Sequence, residues 1–273
     1  MPPGTTMLSD PGCVSRRAPP FAAVWQSHGV RETHSRGVSR RERPAVRALL
    51  ALIILAGAVV AASPRAAEVP MSSIVDLPPP ALDSGVSVER AIRERRSVRA
   101  YAPGALTLAE LGQLLWAAQG MTAPSGLRAA PSAGALYPLE LRVVVGEVAG
   151  LETGVYRYLP ETHRLERSDP HDLRPDLAAA AHQQAWVSDN AALVVISAQY
   201  GRTTGKYGPR GVRYAQLEAG HAAENLFLQA TALGIATVVV GAFDDAAVTR
   251  LLRLEPGEEP LVLMPLGRPP EGR

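Results

Sequence analysis

The chain has 273 residues, enough for one domain of ordinary size plus a non-domain segment. Its 28 basic and 26 acidic residues nearly cancel, but nine Arg and only three acids fall in residues 1–67, leaving a mildly acidic remainder with 19 bases and 23 acids. That balance argues against a nucleic-acid footprint on the folded part, and the sole cysteine, Cys13, leaves that part no thiol for a disulfide, a zinc cluster or a nucleophile.

Residues 1–47 mix Pro, Gly, Ser and Arg without an apolar period and end in a basic stretch, so they read as a leader without structure of its own. An uncharged apolar run follows at 48–62, with small residues and a proline after it. A basic flank, a short apolar core and small residues make 48–67 a signal peptide or membrane anchor, which implies export to the periplasm or cell envelope, or membrane association. A buried core helix is the alternative, but such a helix would have no polar face. Arg40-Arg41 hints at twin-arginine export; without the targeting reading the chain would be cytoplasmic. Pro70, Pro78, Pro79 and Pro80 mark 68–85 as a semi-rigid linker, so the domain is expected over 86–273.

Within it, Ser87 can cap a short helix running to Arg95, and Thr107 with Glu110 forms a capping box for a second helix that Gly120 closes. Leu108, Leu111, Leu115 and Ala118 give that helix one apolar face. Strands are expected at 141–148, 155–159 and 164–168. Pro175 can start a helix running to about Gln184, ahead of a β-rich run at 191–200. Residues 201–211 read as a polar Gly-rich loop leading into a long helix from about Val212 to Leu233. Strands at 236–243 and 260–266 flank a helix that Asp244 or Asp245 can cap. Interleaved helices and apolar strands that must be covered on both faces give an α+β sandwich.

Four segments carry chemistry. Arg95-Arg96-Ser97-Val98-Arg99 can fork a dianionic phosphate or form a solvated basic face. Ala130-Pro131-Ser132-Ala133-Gly134-Ala135-Leu136-Tyr137-Pro138 is either a rigid loop whose amides approach a planar ring or an ordinary loop. Gly241 and Ala242 leave N–H groups unobstructed at a strand end, as a flavin ring edge requires, or simply turn into a helix. Arg268, between Gly267 and Pro269, can add a phosphate ligand or be solvated. No phosphate-loop, dinucleotide or Ser-His-Asp pattern is present. His221 and Glu224 could pair on a metal, but without further ligands no metal site is expected. His163, His171 and His182 sit among polar neighbours and read as surface residues.

These segments, with Glu218-Ala219-Gly220-His221 and Asn225, stand in an order and wording that resemble the nitroreductase family, in particular its SagB/ThcOx-like, azoline oxidase-like branch. The resemblance spans nearly all of residues 86–270. It implies a three-layer sandwich with a central mixed sheet flanked by helices, and a homodimer with FMN at the subunit interface. It places Arg95, Ser97 and Arg99, with Arg96 nearby and Arg268 assisting, on the ribityl chain and phosphate. Ser132, Ala133 and Gly134 would come from the other subunit, and Pro131 and Leu136 would also bind the cofactor. Gly241 and Ala242 would face the reactive ring edge, and Gln119 would be a further flavin contact.

Lys206, the one lysine in the chain, precedes Tyr207. The resemblance implicates this Lys-Tyr pair in catalysis, and a desolvated lysine can lose its proton near neutral pH, whereas an arginine cannot. The expected activity is hydride transfer between FMN and a small organic substrate with NAD(P)H as donor. The alternatives are dehydrogenation of thiazoline or oxazoline peptides and a flavin-binding homologue without turnover.

Overall fold

The structure, a computed structural model, describes residues 73–272. The elements in chain order are β1 (Ile74–Asp76), α1 (Val88–Glu94), β2 (Leu106–Thr107), α2 (Leu108–Gln119), β3 (Leu139–Val145), β4 (Val148–Ala149), β5 (Gly154–Leu159), β6 (Arg164–Asp169), α3 (Arg174–Ala180), β7 (Ala192–Gln199), α4 (Gly201–Tyr207), α5 (Arg210–Ala232), β8 (Ala236–Thr237), α6 (Asp245–Leu251) and β9 (Glu258–Gly267).

Seven strands form one sheet in the order β1-β6-β5-β3-β7-β9-β8. Every neighbouring pair in it is antiparallel, and parallel pairing is confined to the two-residue β2–β4 ladder. The expected α+β sandwich with helices on both faces is therefore present, with its mixed character reduced to that small ladder. Central β7 shows why both faces must be covered. Ala192, Val194, Ile196 and Ala198 join one core with the apolar residues of α2 and α5, while Leu193 and Val195 join a second with those of α3 and α6. Period-two alternation in a continuous apolar strand feeds two cores at once. In the second layer Arg142 on β3 is buried and doubly bonded to Glu258 on β9, with Ser197 of β7 as a third partner.

Helix starts follow the capping residues. Ser87 accepts from Arg90 N–H, Thr107 and Glu110 form the reciprocal box, and Asp244 rather than Asp245 caps α6 by accepting from Ala247 N–H. The helix expected to run to Gln184 stops at Ala180, because His182 and Gln183 adopt left-handed φ of 56° and 60°.

Three expectations change. The strand expected over 236–243 keeps only Ala236–Thr237. Its register places Val238 opposite Pro265, which has no N–H to donate, so the ladder breaks there and resumes as a single bridge between Val240 and Leu263. The loop expected over 201–211 contains α4. Thr203 and Thr204 both bond back to the Tyr200 carbonyl, and Gly208 at φ 58° ends the helix. A Cβ on Gly211 would stand 2.6 Å from the Thr203 backbone, so glycine there lets α4 fold back on α5.

The linker expected over 68–85 is in its described part a strap on the domain. β1 pairs with β6, Leu77 is buried, and Ala81 exchanges two hydrogen bonds with the Gln113 amide. Without the strap β6 would be an open sheet edge. His163, expected at the surface, is half-buried against the strap, with Nδ1 at 2.9 Å from the Tyr158 hydroxyl and Nε2 at 3.0 Å from the Pro78 carbonyl. Burial lowers its pKa, and the bond to Pro78 opposes that. The leader and the apolar run at 48–62 lie outside the described residues, among which no helix is long and apolar enough to cross a membrane.

Candidate functional site

The basic stretch leaves α1 in extended form and is tied to the end of β8 by the Val98 N–H on the Thr237 carbonyl at 2.9 Å. Val98 points into the core, so Ser97 and Arg99 on either side of it are exposed. The Arg95 guanidinium lies 4.8 Å over the ring of Phe227 on α5, and Arg99 stands 6.0 Å from the Trp186 ring. Among the described residues neither arginine has an ion-pair partner and the Ser97 hydroxyl makes no hydrogen bond. Arg96 differs: it turns back to donate to the Arg93 and Arg95 carbonyls at 2.8 Å each, closing the C-terminus of α1.

Val98 fixes this stretch beside the segment that ends in Gly241 and Ala242. Both are exposed, and their N–H groups have no partner among the described residues; Ala242 uses only its carbonyl, which accepts from the Gln184 amide. Unpaired guanidinium groups on one strand of chain, and open amides on the segment to which it is tied at Thr237, suit an anionic ligand carrying a polar ring edge.

Arg268 does not join them. Its guanidinium is forked on Glu110 at 2.7 and 2.8 Å and also donates to the Ala105 carbonyl, which joins the end of β9 to the start of α2. Without a ligand the expected phosphate ligand serves as a clamp between β9 and α2. The acid of the α2 capping box and the arginine near the C-terminus are each visible in the sequence, but they lie 158 residues apart and only the fold joins them.

Toward the other end of α2, the loop at 130–138 holds an unusual backbone. Gly134, Ala135 and Tyr137 have φ of 63°, 53° and 45°, a conformation that costs energy at the two non-glycine positions and persists only when neighbours enforce it. The enforcing contacts are specific. Ser132 Oγ accepts from Tyr137 N–H at 2.9 Å, Arg202 of α4 donates to the Tyr137 carbonyl, and Asn225 of α5 donates to the Ala129 carbonyl. Lys206 and Tyr207, at the end of α4, press on the same loop. A Cβ on Gly134 would stand 2.7 Å from the Tyr207 hydroxyl and 2.9 Å from Lys206 Nζ, so a larger residue there would be strained at φ 63° and would push both side-chain ends away. The Tyr207 ring is steadied edge-on by Tyr214, with centroids 5.2 Å apart. Pro131 is exposed, Ala133 half-buried, and Leu136 lines a cavity of about 330 Å³ together with Arg128 and Tyr137.

Gln119, expected to touch a flavin, is buried behind the loop, its amide between Glu218 at 3.5 Å and Arg128 at 3.4 Å. Glu218 on α5 is 1% exposed, and its Oε2 has no well-formed hydrogen bond. Burial pushes the carboxyl up to about 7, and the Ser132 hydroxyl, the Gln119 amide and the charge of Arg128 pull it back in part. The residue pattern carries one sign of this: Glu218 falls in the buried stripe of Ala215, Ala219, Ala222 and Leu226, where an unpaired acid is out of place.

The structure thus brings together two separate groups: Arg95, Ser97, Arg99, Gly241 and Ala242 in one, and Ser132, Gly134, Lys206 and Tyr207, backed by Gln119 and Glu218, in the other. No hydrogen bond or ion pair joins the basic stretch to the loop within one chain among the described residues.

A family model described as the nitroreductase family matches residues 92–268. A protein named as a nitroreductase from Methanocaldococcus jannaschii is 45% identical over 183 residues, covering 67% of this chain and 91% of that protein. The trifolitoxin-processing protein TfxB of Rhizobium leguminosarum bv. trifolii is 31% identical over 137 residues, 47% of this chain and 36% of that one. Among solved structures, one named as a nitroreductase from Ralstonia eutropha superimposes with a TM-score of 0.65 at 28% identity, covering 72% of this chain and 90% of that one. With its three layers, its matched length and this identity to a relative covered almost end to end, the chain belongs to the nitroreductase family of oxidoreductases.

Proposed function

We propose that the protein is an FMN-dependent oxidoreductase that works as a homodimer, each flavin lying between the two groups of residues described above. Arg95, Ser97 and Arg99 of one protomer hold the phosphate and ribityl chain, Gly241 and Ala242 offer N–H groups to the ring edge, and the 130–138 loop of the other covers the ring. The observation that carries this reading is that Arg95 and Arg99 lack counter-ions on a stretch tied by Val98 to the segment that carries two open backbone amides. Bound there, FMN supplies hydride transfer at its N5 position. Lys206 Nζ and the Tyr207 hydroxyl, both against Gly134, hold or remove the proton that accompanies the hydride.

The first reading of the substrate is a small organic molecule reduced with NAD(P)H as donor. A second, dehydrogenation of a ring in a peptide, is favoured by the placement of Lys206 and Tyr207 on the loop and by the similarity to a toxin-processing protein. Purified protein should bind FMN, with the absorption of a bound flavin, and Arg95→Ala with Arg99→Ala should weaken binding at least tenfold, since charge-assisted bonds contribute roughly 1.5–3 kcal/mol each. Protein that takes up no FMN contradicts the proposal. Anaerobic mixing with NAD(P)H separates the substrate readings: rapid bleaching supports reduction, and bleaching by a thiazoline peptide alone supports dehydrogenation.

A further inference from the structure

We infer that Glu218 is a positioning residue for the flavin, gripping the 130–138 loop from behind through Ser132 and Gln119, so that its charge state sets how tightly the cofactor is held. The inference rests on the proposed FMN site but concerns a residue that does not touch the ring.

The geometry is that of a support rather than of a ligand. Glu218 is almost wholly buried between α5, the end of α2 and the loop. It faces the Ser132 hydroxyl, whose oxygen already accepts from Tyr137 N–H and whose proton is therefore free to point at the carboxylate. It accepts from Gln119, and its other oxygen lacks a well-formed partner. Seven residues further along the same helix, Asn225 holds the Ala129 carbonyl just ahead of the loop, so Glu218 faces a segment that α5 already anchors two turns away. The loop needs this support, because Ala135 and Tyr137 occupy left-handed backbone conformations that cost energy at non-glycine residues.

The groups that set the charge of Glu218 are few. Arg128 acts on it as a cation, Gln119 and Ser132 face it as neutral partners, and Lys206 and Tyr207 stand beyond Gly134. On α5 itself His221 is exposed. A flat ring seated on the loop removes water from a site that already holds a poorly paired carboxyl. Closure therefore penalises the charged form, and flavin binding favours the protonated acid. Affinity should be greatest below neutrality and fall as Glu218 ionises.

The test is the FMN dissociation constant of wild-type, Glu218→Gln and Glu218→Ala protein, measured by flavin fluorescence from pH 6 to 8.5. The FMN phosphate titrates equally in all three, so the ratios between proteins are the readout. Wild type should lose up to about tenfold in affinity relative to Glu218→Gln between pH 6 and 8, the limit for a single proton whose midpoint in the free protein lies near 7. Glu218→Ala should bind at least tenfold more weakly than Glu218→Gln at every pH, the amide restoring the grip on Ser132 and Gln119. A constant ratio between wild type and Glu218→Gln across the range would overturn the role of the charge, and equal affinities of Ala and Gln variants would overturn the grip. Wild-type protein that binds no FMN would instead sink the flavin reading itself, so the two failures are told apart.

Discussion

At Gly134 a single hydrogen lets Lys206 and Tyr207 close on the loop, where a methyl group would hold them off. Alanine would have to adopt φ near 63° and carry a methyl group into the Tyr207 hydroxyl and the lysine ammonium. Gly134→Ala should cost about 1–2 kcal/mol in denaturant unfolding yet lower turnover of FMN-loaded protein tenfold or more, because the pair must move; unchanged turnover would separate Lys206 and Tyr207 from the chemistry. Glu218 has a consequence for stability as well. Its carboxyl is raised in the folded state to about 7 from an ordinary 4.5, so the folded protein binds more protons than the unfolded chain between those values. Its contribution is fully present at low pH and is lost as pH rises from about 4.5 to 7, by up to about 3 kcal/mol. Glu218→Gln should accordingly be more stable than wild type at pH 8 and no more stable at pH 4.5, as read from urea midpoints. The Gly134 loop was legible as small residues between two prolines. The partners of its backbone were not, because α4 and α5 reach it from more than 60 residues away.

At the scale of elements, α2 begins at a joint rather than at an isolated cap. Glu110 closes the box with Thr107 and also holds Arg268 from the end of β9. Thr107→Ala should therefore cost about 1 kcal/mol, the loss of an ordinary N-cap, whereas Glu110→Ala should cost roughly 2–3 kcal/mol because a charge-assisted fork goes with it. Chemical denaturation of both variants checks the difference. A fall in FMN affinity without loss of stability in Glu110→Ala would return Arg268 to phosphate binding. The box itself is plain in four consecutive residues, since capping is local chemistry. The glycines from 201 to 211 read instead as a loop, because helix propensity does not register that Thr203 in α4 is buried and that Gly211 in α5 admits the two helices at close range.

For the whole molecule, the strap at 73–81 makes the folded unit begin before the last prolines of the linker. A chain beginning at Val86 would expose Leu77's site, leave His163 without its carbonyl partner and open the edge of β6. Such a truncation should lose about 2–4 kcal/mol of stability and aggregate more readily, measured by urea unfolding and light scattering. A truncated domain with wild-type stability would restore the linker reading. Prolines suggested a linker because they cannot sit inside a sheet, yet a three-residue strand ahead of them needs no proline to pair.

By itself the sequence determined the α+β class, the caps, most strands and the helix α5 to within a few residues, because capping, period-two alternation and long apolar faces are short-range patterns. It also singled out the basic stretch, the Ser132–Gly134 loop and the Lys206-Tyr207 pair. Tertiary structure alone decided which of these meet. Arg268 went to Glu110, Gln119 went behind the loop to Glu218, and Lys206 and Tyr207 came to rest on Gly134. Each of those outcomes depends on the packing of elements distant in the chain, where burial and competition for partners decide what a charged side chain does.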